Sequence, residues 1–503
     1  MKTIIKSALI TSLAFATINA VDHTNQTFMM SRPTLADLPM EYTSFNELIS
    51  RKDEAKFGGN FQAVAFYKNS LDGQDFGKAF LVNHKNPITF RASPTNDNKV
   101  STVCDVDLFY IIHQMGLTTQ DQANAAVGNT TLELNPEEKT YGIRLDYHQD
   151  LDRLIKGLYL KTALAIVHVR HDAGLKICSN VTMIKDALEK YFKGEFEGFG
   201  VGNMQEKLTN AKIKPTSFSS TGVADIDMAL GYKFFNRETY YAGLALAITL
   251  PTGNEAHSAF MFEPLHGNGN HFALGGDLFM QCRLLGDIDH NLTLYWLTKY
   301  RYLFKNIELR TAGLKNRNWG QYYLLNVTGR EANGKLIPAA NITTKHVEVT
   351  PGSQYDGIWG LAYNVGNVSL DFGYDMFFKE SESLTLKDKF CDNKYAIAAR
   401  NLNTVNANVP PAAVPQGTPI PPFNPVDVDG DDLVVALINL NTIDFVVAET
   451  PSVFTHALYG ALGYVCKEWD APLMFGLGGK YEITTDNSAL GMWEVWGKFG
   501  FGF

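Results

Sequence analysis

Two histidines and an aspartate at the end of one predicted strand come nearest, by type and spacing, to a catalytic group. His168, His171 and Asp172 could transfer protons, because imidazole and carboxylate groups are the usual general acids and bases of enzymes. No serine motif and no paired carboxylate accompanies them, and solvated histidines at a strand end need no catalytic role. The sequence therefore predicts no enzymatic activity.

Metal and redox chemistry have equally little support. The acidic run 427–432 could bind Ca²⁺, but its glycine is misplaced for an EF-hand and position twelve would be Ile438, so a solvated acidic turn is the alternative. Five cysteines are scattered without a C-x-x-C motif, which gives zinc no ligand set. One disulfide between Cys104 and Cys178 is an alternative to isolated thiols. We expect no metal and no cofactor.

Composition and charge exclude other classes. The chain has 503 residues, 45% of them hydrophobic and 19% charged, with a net charge of −9. It has no basic tract, so we expect no nucleic-acid partner. The only long apolar segment lies at the start, which excludes a polytopic helical membrane protein. There, Lys2 and Lys6 precede an apolar stretch that ends at Ala20, a pattern that predicts a signal peptide over 1–20 and export.

Strict alternation of apolar and polar residues over ten or more positions repeats along the chain. It is clearest over 368–379, where Leu370 and Phe372 lie on one face while Asp371 and Asp375 lie on the other. The other alternating segments include 141–147, 226–234, 240–250, 272–284, 292–304 and 473–481. Strands of about ten residues with one apolar face have the length that a tilted strand needs to cross a bilayer.

The connections between these strands alternate in length. Short ones fall at 150–156, 235–239, 286–291, 364–367 and 467–471, and long ones near 68–138, 171–221, 251–271, 305–354 and 380–453. In lipid, only a closed sheet satisfies every peptide group without helices. The sequence therefore predicts an all-β fold, a transmembrane antiparallel up-and-down β-barrel with short periplasmic turns and long extracellular loops.

Parity gives the strand number. Adding 57–67 as the first strand makes twelve, an even number with both ends periplasmic, and ten or fourteen strands are the alternatives. The barrel then covers 57–503 and is preceded by a periplasmic segment over 21–56. Within the long loops, 183–192 has helical periodicity, and the proline-rich stretch 409–425 should be extended or disordered.

The last strand, 493–503, alternates up to a terminal phenylalanine, with Phe499, Phe501 and Phe503 on one face. It resembles the C-terminal signature of Gram-negative outer-membrane, porin-like barrels. The blocks 141–151, 219–232, 262–276 and 292–310 resemble poorly characterised outer-membrane proteins of intracellular bacteria. The resemblance implies an outer-membrane location in contact with the lipid bilayer and lipopolysaccharide. It also implies that the barrel-assembly machinery reads these three rings as an assembly signal.

Residues opposite the apolar faces should line the barrel lumen. They are Arg144, Asp146, His148, Asp225, Asp227, Lys233, Asp277, Arg283, Lys299, Arg301, Asp371, Asp375, Lys379, Lys480, Glu494 and Lys498. Mixed charges fit a water-filled or loop-plugged lumen, although cross-strand pairs that support the wall would look the same. We expect a porin-like channel for passive diffusion of small polar solutes, which could form a homo-oligomer. The alternative is a surface-exposed structural or adhesin-type barrel with a plugged lumen.

Overall fold

The computed structural model describes residues 22–44, 58–91, 105–107, 111, 130–198, 205–237, 239–287, 289–327, 336–397, 437–466 and 471–503. The predicted signal peptide, Cys104, the proline-rich stretch and the acidic run lie outside these residues.

Twelve antiparallel strands close into one barrel, and strands that are neighbours in sequence are neighbours in space. The barrel closes where the first strand pairs with the last, in a register that sets Phe61 opposite Phe501. The strands are β1 (Gly59–Ser70), β2 (Glu137–Asp150), β3 (Leu158–Asp172), β4 (Phe218–Asn236), β5 (Tyr240–Leu250), β6 (Ala273–Gly286), β7 (His290–Leu303), β8 (Gly352–Val365), β9 (Val368–Lys379), β10 (Val453–Cys466), β11 (Leu473–Thr484) and β12 (Met492–Gly502). The predicted all-β transmembrane barrel of twelve strands is confirmed.

Alternation along the strands separates an apolar outer surface from a polar interior. On β9, Phe372 exposes 61% of its surface on the outside, whereas the preceding Asp371 exposes 4% on the inside. Leu458 and Leu477 on β10 and β11 are equally open on the outer face. An apolar outer face with charged residues inside is what a barrel wall in lipid requires. Among the described residues, no helix is long and apolar enough to span a membrane.

Short connections gather at one end of the barrel, the short-turn end, and long ones at the other, the long-loop end. Within the described residues, the α-helices are α1 (Leu38–Tyr42), α2 (Gln74–Phe80), α3 (Thr182–Lys193) and α4 (Ala339–Thr343). Short strands of the long connections pair in four small sheets: Ile88–Arg91, Val106–Asp107, Thr130–Glu133 and Lys176–Cys178; Asn306–Thr311, Thr344–Thr350 and Ser383–Leu386; Leu324–Val327, Leu336–Pro338, Tyr395–Ile397 and Leu437–Ile438; and Gly313–Leu314 with Ile443–Asp444.

The long connections share one apolar core. Phe80, Phe192, Phe262 and Trp319 belong to four different connections and are all buried in it. Helix α3 forms because its apolar residues recur with helical spacing, which turns one face into this core, and it ends at Gly194 with φ of 77°. The long loops are therefore folded together at their end of the barrel.

Residues 22–44, here called the plug, run through the barrel lumen from the long-loop end to the short-turn end. At the first end, the Asn25 N–H donates to the Leu81 carbonyl at 2.7 Å. At the other, the Ser44 N–H donates to the carboxylate of Asp371, near the start of β9, at 3.1 Å. Residues 22–44, which belong to the segment expected over 21–56, therefore lie inside the barrel. They lie inside because the wall offers counter-charges and apolar side chains that match theirs.

Candidate functional site

The plug meets the barrel wall at three charged side chains, and Arg32 makes the most contacts. Its guanidinium donates two bonds to Asp375, at 2.9 and 3.1 Å, one to Asp356 at 2.9 Å and one to Glu482 at 2.5 Å. The remaining N–H, on Nε, donates to the carbonyl of Ala36 in the plug itself at 2.7 Å. All five guanidinium donors are therefore satisfied, four of them by wall carboxylates.

Five residues after Arg32 along the plug, Asp37 binds two lysines of the wall. Its Oδ2 accepts from Lys68 Nζ at 2.8 Å and from Lys480 Nζ at 2.7 Å. Both ammonium groups also lie close to Glu494, at 3.4 and 3.6 Å. Since all these groups are buried, each charge depends on the others for compensation.

Glu41, in α1, contacts the wall at strands β2 and β7. Its Oε2 accepts from Arg144 at 2.6 Å and from Lys299 at 2.7 Å. Both cations have a second carboxylate: Arg144 binds Asp146 at 2.9 Å, and Lys299 lies 3.6 Å from Asp227. Glu41 therefore joins a network of ion pairs whose other members belong to the wall.

The end of α1 is held through its backbone. Lys498 Nζ donates to the carbonyls of Glu41 and Thr43, at 2.9 and 2.7 Å. The last carbonyls of a helix have no partner within it, and a cation is the group that satisfies them best. A wall lysine thus fixes the position of α1.

Apolar packing fills the space between these charged contacts. Leu38 and Met40 of α1 are fully buried, in one cluster with Phe66, Ile358 and Trp496 of the wall. The ring of Tyr42 packs against that of Tyr295 at a tilt of 46°, with ring centroids 4.8 Å apart. The plug is therefore held by buried apolar surface as well as by ion pairs.

Two cavities beside the plug are small. One, of about 30 Å³, is lined by Glu41, Asp146, Lys161 and Lys299 among others. The second, also of about 30 Å³, is lined by Arg32 and the groups around it. Such volumes hold one or two water molecules and no larger solute.

The sixteen residues expected to line the lumen have several kinds of partner. Six of them bind the plug: Arg144, Lys299, Asp371, Asp375, Lys480 and Lys498. Arg301 binds Asp227 and Asp277, Asp146 and Glu494 belong to the networks described above, and Lys379 binds Glu382.

The others lie toward the two ends of the barrel. Asp225 accepts from the backbone N–H groups of Gly253 and Asn268 at the long-loop end. His148 and Lys233 both contact Asp150 at the short-turn end, and Arg283 also lies there, near the end of β6. The structure thus brings the central residues together around the plug and leaves these apart. The assembly role expected for Phe499, Phe501 and Phe503 stays a prediction.

Sequence reasoning missed the residues that matter most here. Arg32, Asp37 and Glu41 belong to no alternating segment, and their wall partners Asp356 and Glu482 lie near the long-loop ends of their strands. The available signal was the number of apolar residues between Arg32 and Glu41, namely Leu35, Ala36, Leu38 and Met40, which is unusual in a hydrated tether.

The histidine group does not assemble. The His168 ring bonds Thr221 on the exposed side of β3, whereas His171 is buried and lies 3.2 Å from Glu138. Side chains along a strand alternate between the two faces of the sheet, so residues 168 and 171, three positions apart, lie on opposite faces and their rings are separated.

The described residues contain neither a metal-binding cluster nor a disulfide. No group of three or more His, Cys, Asp or Glu side chains there could hold a metal ion. Cys178, Cys282, Cys391 and Cys466 are free thiols.

No protein-family model matches the chain, and no curated protein matches it. Solved structures resemble it only distantly. An outer membrane channel from Pseudomonas putida F1 is 10% identical over 90% of this chain and 98% of its own, with a TM-score of 0.37. The Pseudomonas putida toluene transporter TodX is 7% identical over 96% and 95%, with a TM-score of 0.35. The Escherichia coli outer membrane protease OmpT is 6% identical over 89% and 95%, with a TM-score of 0.20.

None of these TM-scores reaches 0.5, so the functions of these proteins do not transfer to this chain. Its own residues define the class: a transmembrane β-barrel whose lumen is occupied by the N-terminal segment of the same chain.

Proposed function

We propose that the protein is a gated outer-membrane channel whose plug must leave the lumen, wholly or in part, before a solute passes. The observation that carries this proposal is the charged contact between plug and wall, at Arg32, Asp37 and Glu41. Buried ion pairs are a costly way to build a permanent core, since well-packed apolar side chains of similar size often stabilise as well or better. Charged groups do suit a segment that leaves, because water can solvate both surfaces afterwards.

An open porin is not what the described residues form. Plug side chains occupy the lumen, and the two cavities described beside them, of about 30 Å³ each, are too small for a solute larger than water. Passive diffusion of small polar solutes, as expected from the sequence, would need the plug to move first. The outer-membrane location is supported by the apolar outer face of the barrel, and we propose no catalytic activity.

A surface-exposed structural barrel is the second candidate. It is favoured by the folded long loops, whose shared core gives the long-loop end a fixed surface. In that role the plug would never leave, and the barrel would never conduct.

Single-channel recording in planar bilayers separates the two candidates. The first variant deletes residues 22–44. The second locks the plug by a disulfide between Ser44→Cys and Gly476→Cys, in a chain whose five native cysteines are replaced by serine. A side chain on Gly476 would lie 2.8 Å from Ser44 Cβ, so a shift of about 1 Å gives the Cβ separation of a disulfide.

For a gated channel we expect rare openings in the unmodified protein and large, steady conductance after the deletion. The locked protein should be silent when oxidised and should open again on reduction. A deleted variant that keeps the heat-modifiable gel mobility of a folded barrel but never conducts would contradict the channel and favour the structural role.

A further inference from the structure

We infer that the wall site filled by the Arg32 side chain is a recognition site for a solute that carries a guanidinium group, and that such a solute opens the channel by displacing Arg32. The inference rests on the proposed gated channel and names its solute class. The Arg32 side chain would then occupy the solute site of its own channel when no solute is bound.

The geometry of the acceptors carries the inference. Asp375 binds the guanidinium through both oxygens, in the parallel two-bond arrangement that a planar fork makes with a carboxylate. Asp356 and Glu482 take the two outer N–H groups, at 2.9 and 2.5 Å. These acceptors come from three strands, β8, β9 and β11, and all three side chains are buried.

An ammonium group fits these acceptors poorly. It carries three donors in a tetrahedral arrangement, whereas the wall presents four bonds that lie around one planar group. A lysine-like solute could therefore replace at most three of the four bonds that Arg32 makes to the wall, and it could not form the parallel pair to Asp375. The site should therefore prefer a guanidinium over an amine of equal charge.

The charge of the empty site also demands a cation. Without Arg32, three carboxylates remain with one ammonium, that of Lys480, which lies 3.3 Å from Asp375 and 3.2 Å from Glu482. The local charge is then −2 in a buried place. Buried charges without compensation are strongly unfavourable, so the vacated site attracts a cationic solute or takes Arg32 back.

Two further features of the site are available to a guanidinium solute. Asp356 Oδ2 is buried without a hydrogen-bond partner among the described residues, which leaves one acceptor for a donor that Arg32 does not have. The ring of Phe377 lies 4.9 Å from the guanidinium carbon and offers a cation–π contact. Within the same described ranges no metal cluster competes for these carboxylates.

The test uses three matched solutes on the full-length protein in planar bilayers at constant ionic strength. L-argininamide carries a guanidinium, L-lysinamide carries an ammonium, and L-citrullinamide carries a neutral group of the same shape as the guanidinium. We expect L-argininamide to raise the open probability at least tenfold. L-lysinamide should need at least ten times the concentration, and L-citrullinamide should have no effect.

Two substitutions test whether L-argininamide acts at the site of the Arg32 side chain. Arg32→Gln removes the internal competitor, so the basal open probability should rise and L-argininamide should bind at least tenfold more tightly by isothermal titration calorimetry. Asp375→Asn should abolish that binding. Lys305→Gln, which removes an exposed loop cation paired with Glu348, is the matched control and should change neither.

Equal responses to L-argininamide and L-lysinamide would overturn the inference, as would unchanged L-argininamide binding in Asp375→Asn. Either result leaves the gated channel intact if the deletion of residues 22–44 conducts. Silence of that deletion would instead remove the channel itself. The comparison of the three amides on unsubstituted protein needs no variant to fold.

Discussion

Replacing Glu41 by glutamine should loosen the plug, because a single carboxylate oxygen compensates two buried cations. Glu41 Oε2 lies 2.6 Å from Arg144 and 2.7 Å from Lys299. Removing one partner of a buried ion pair typically costs about 3–5 kcal/mol. Arg144 keeps Asp146, and Lys299 keeps Asp227 at a longer distance, so the lower end of that range applies. A cost of about 3 kcal/mol lowers the ratio of docked to undocked plug by roughly a hundredfold.

Undocking can be measured by chemical labelling of a buried plug residue. Thr43 is fully buried, so a Thr43→Cys variant without native cysteines should react with a maleimide only when the plug leaves. Glu41→Gln should raise the labelling rate by roughly two orders of magnitude at equal reagent concentration.

Glu348 provides the matched control. It also bridges two cations, Lys305 and Lys387, each at 3.0 Å, but it does so on the exposed surface of the long loops. Glu348→Gln should leave the labelling rate unchanged. Equal labelling of Glu41→Gln and the unsubstituted protein would refute the reasoning, because the ion pairs would then contribute nothing to docking.

Three other expectations concern the wall, the loops and the chain end. Phe372→Arg places a charge in lipid and should lower the free energy of unfolding, measured with urea in vesicles, by about 2–4 kcal/mol. Asp371→Asn should lower it little, because the amide oxygen can still accept from Ser44. Equal losses for the two variants would contradict the assigned faces. Burial raises the pKa of Glu382, but Lys379 and Arg310 outweigh it and hold that pKa at about 2. Because this pKa lies below the unfolded value, its contribution to loop stability should be complete above about pH 4.5 and lost toward pH 2, as proteolysis of the loops over this range would show. Phe503→Ser should reduce insertion in cells but leave refolding in detergent intact, since the backbone bonds between residue 503 and Gly59 remain; normal insertion on heat-modifiable gels would exclude the assembly signal.

Local patterns in the amino-acid sequence are enough to predict the barrel. Burial in a strand repeats every two residues, so the apolar and charged faces of 368–379 could be read directly, and Phe372 and Asp371 lie on the expected sides. Strand length and the alternation of short and long connections are equally local properties. Together they gave twelve strands and the positions of the long loops, and helical spacing over 183–192 predicted α3 in the same way.

The segment that fills the barrel could not be predicted in this way, because it is held by long-range contacts. Arg32 meets Asp356, Asp375 and Glu482 across sequence separations of 324, 343 and 450 residues, and no local pattern marks such partners. Alternation shows that a charged residue faces inward, but it does not show whether water, another strand or the N-terminal segment compensates it. Which group compensates the charge depends on closure of the sheet. Closure brings the carboxylates of β8, β9 and β11 around one space, and their charge makes that space a binding site for a cation.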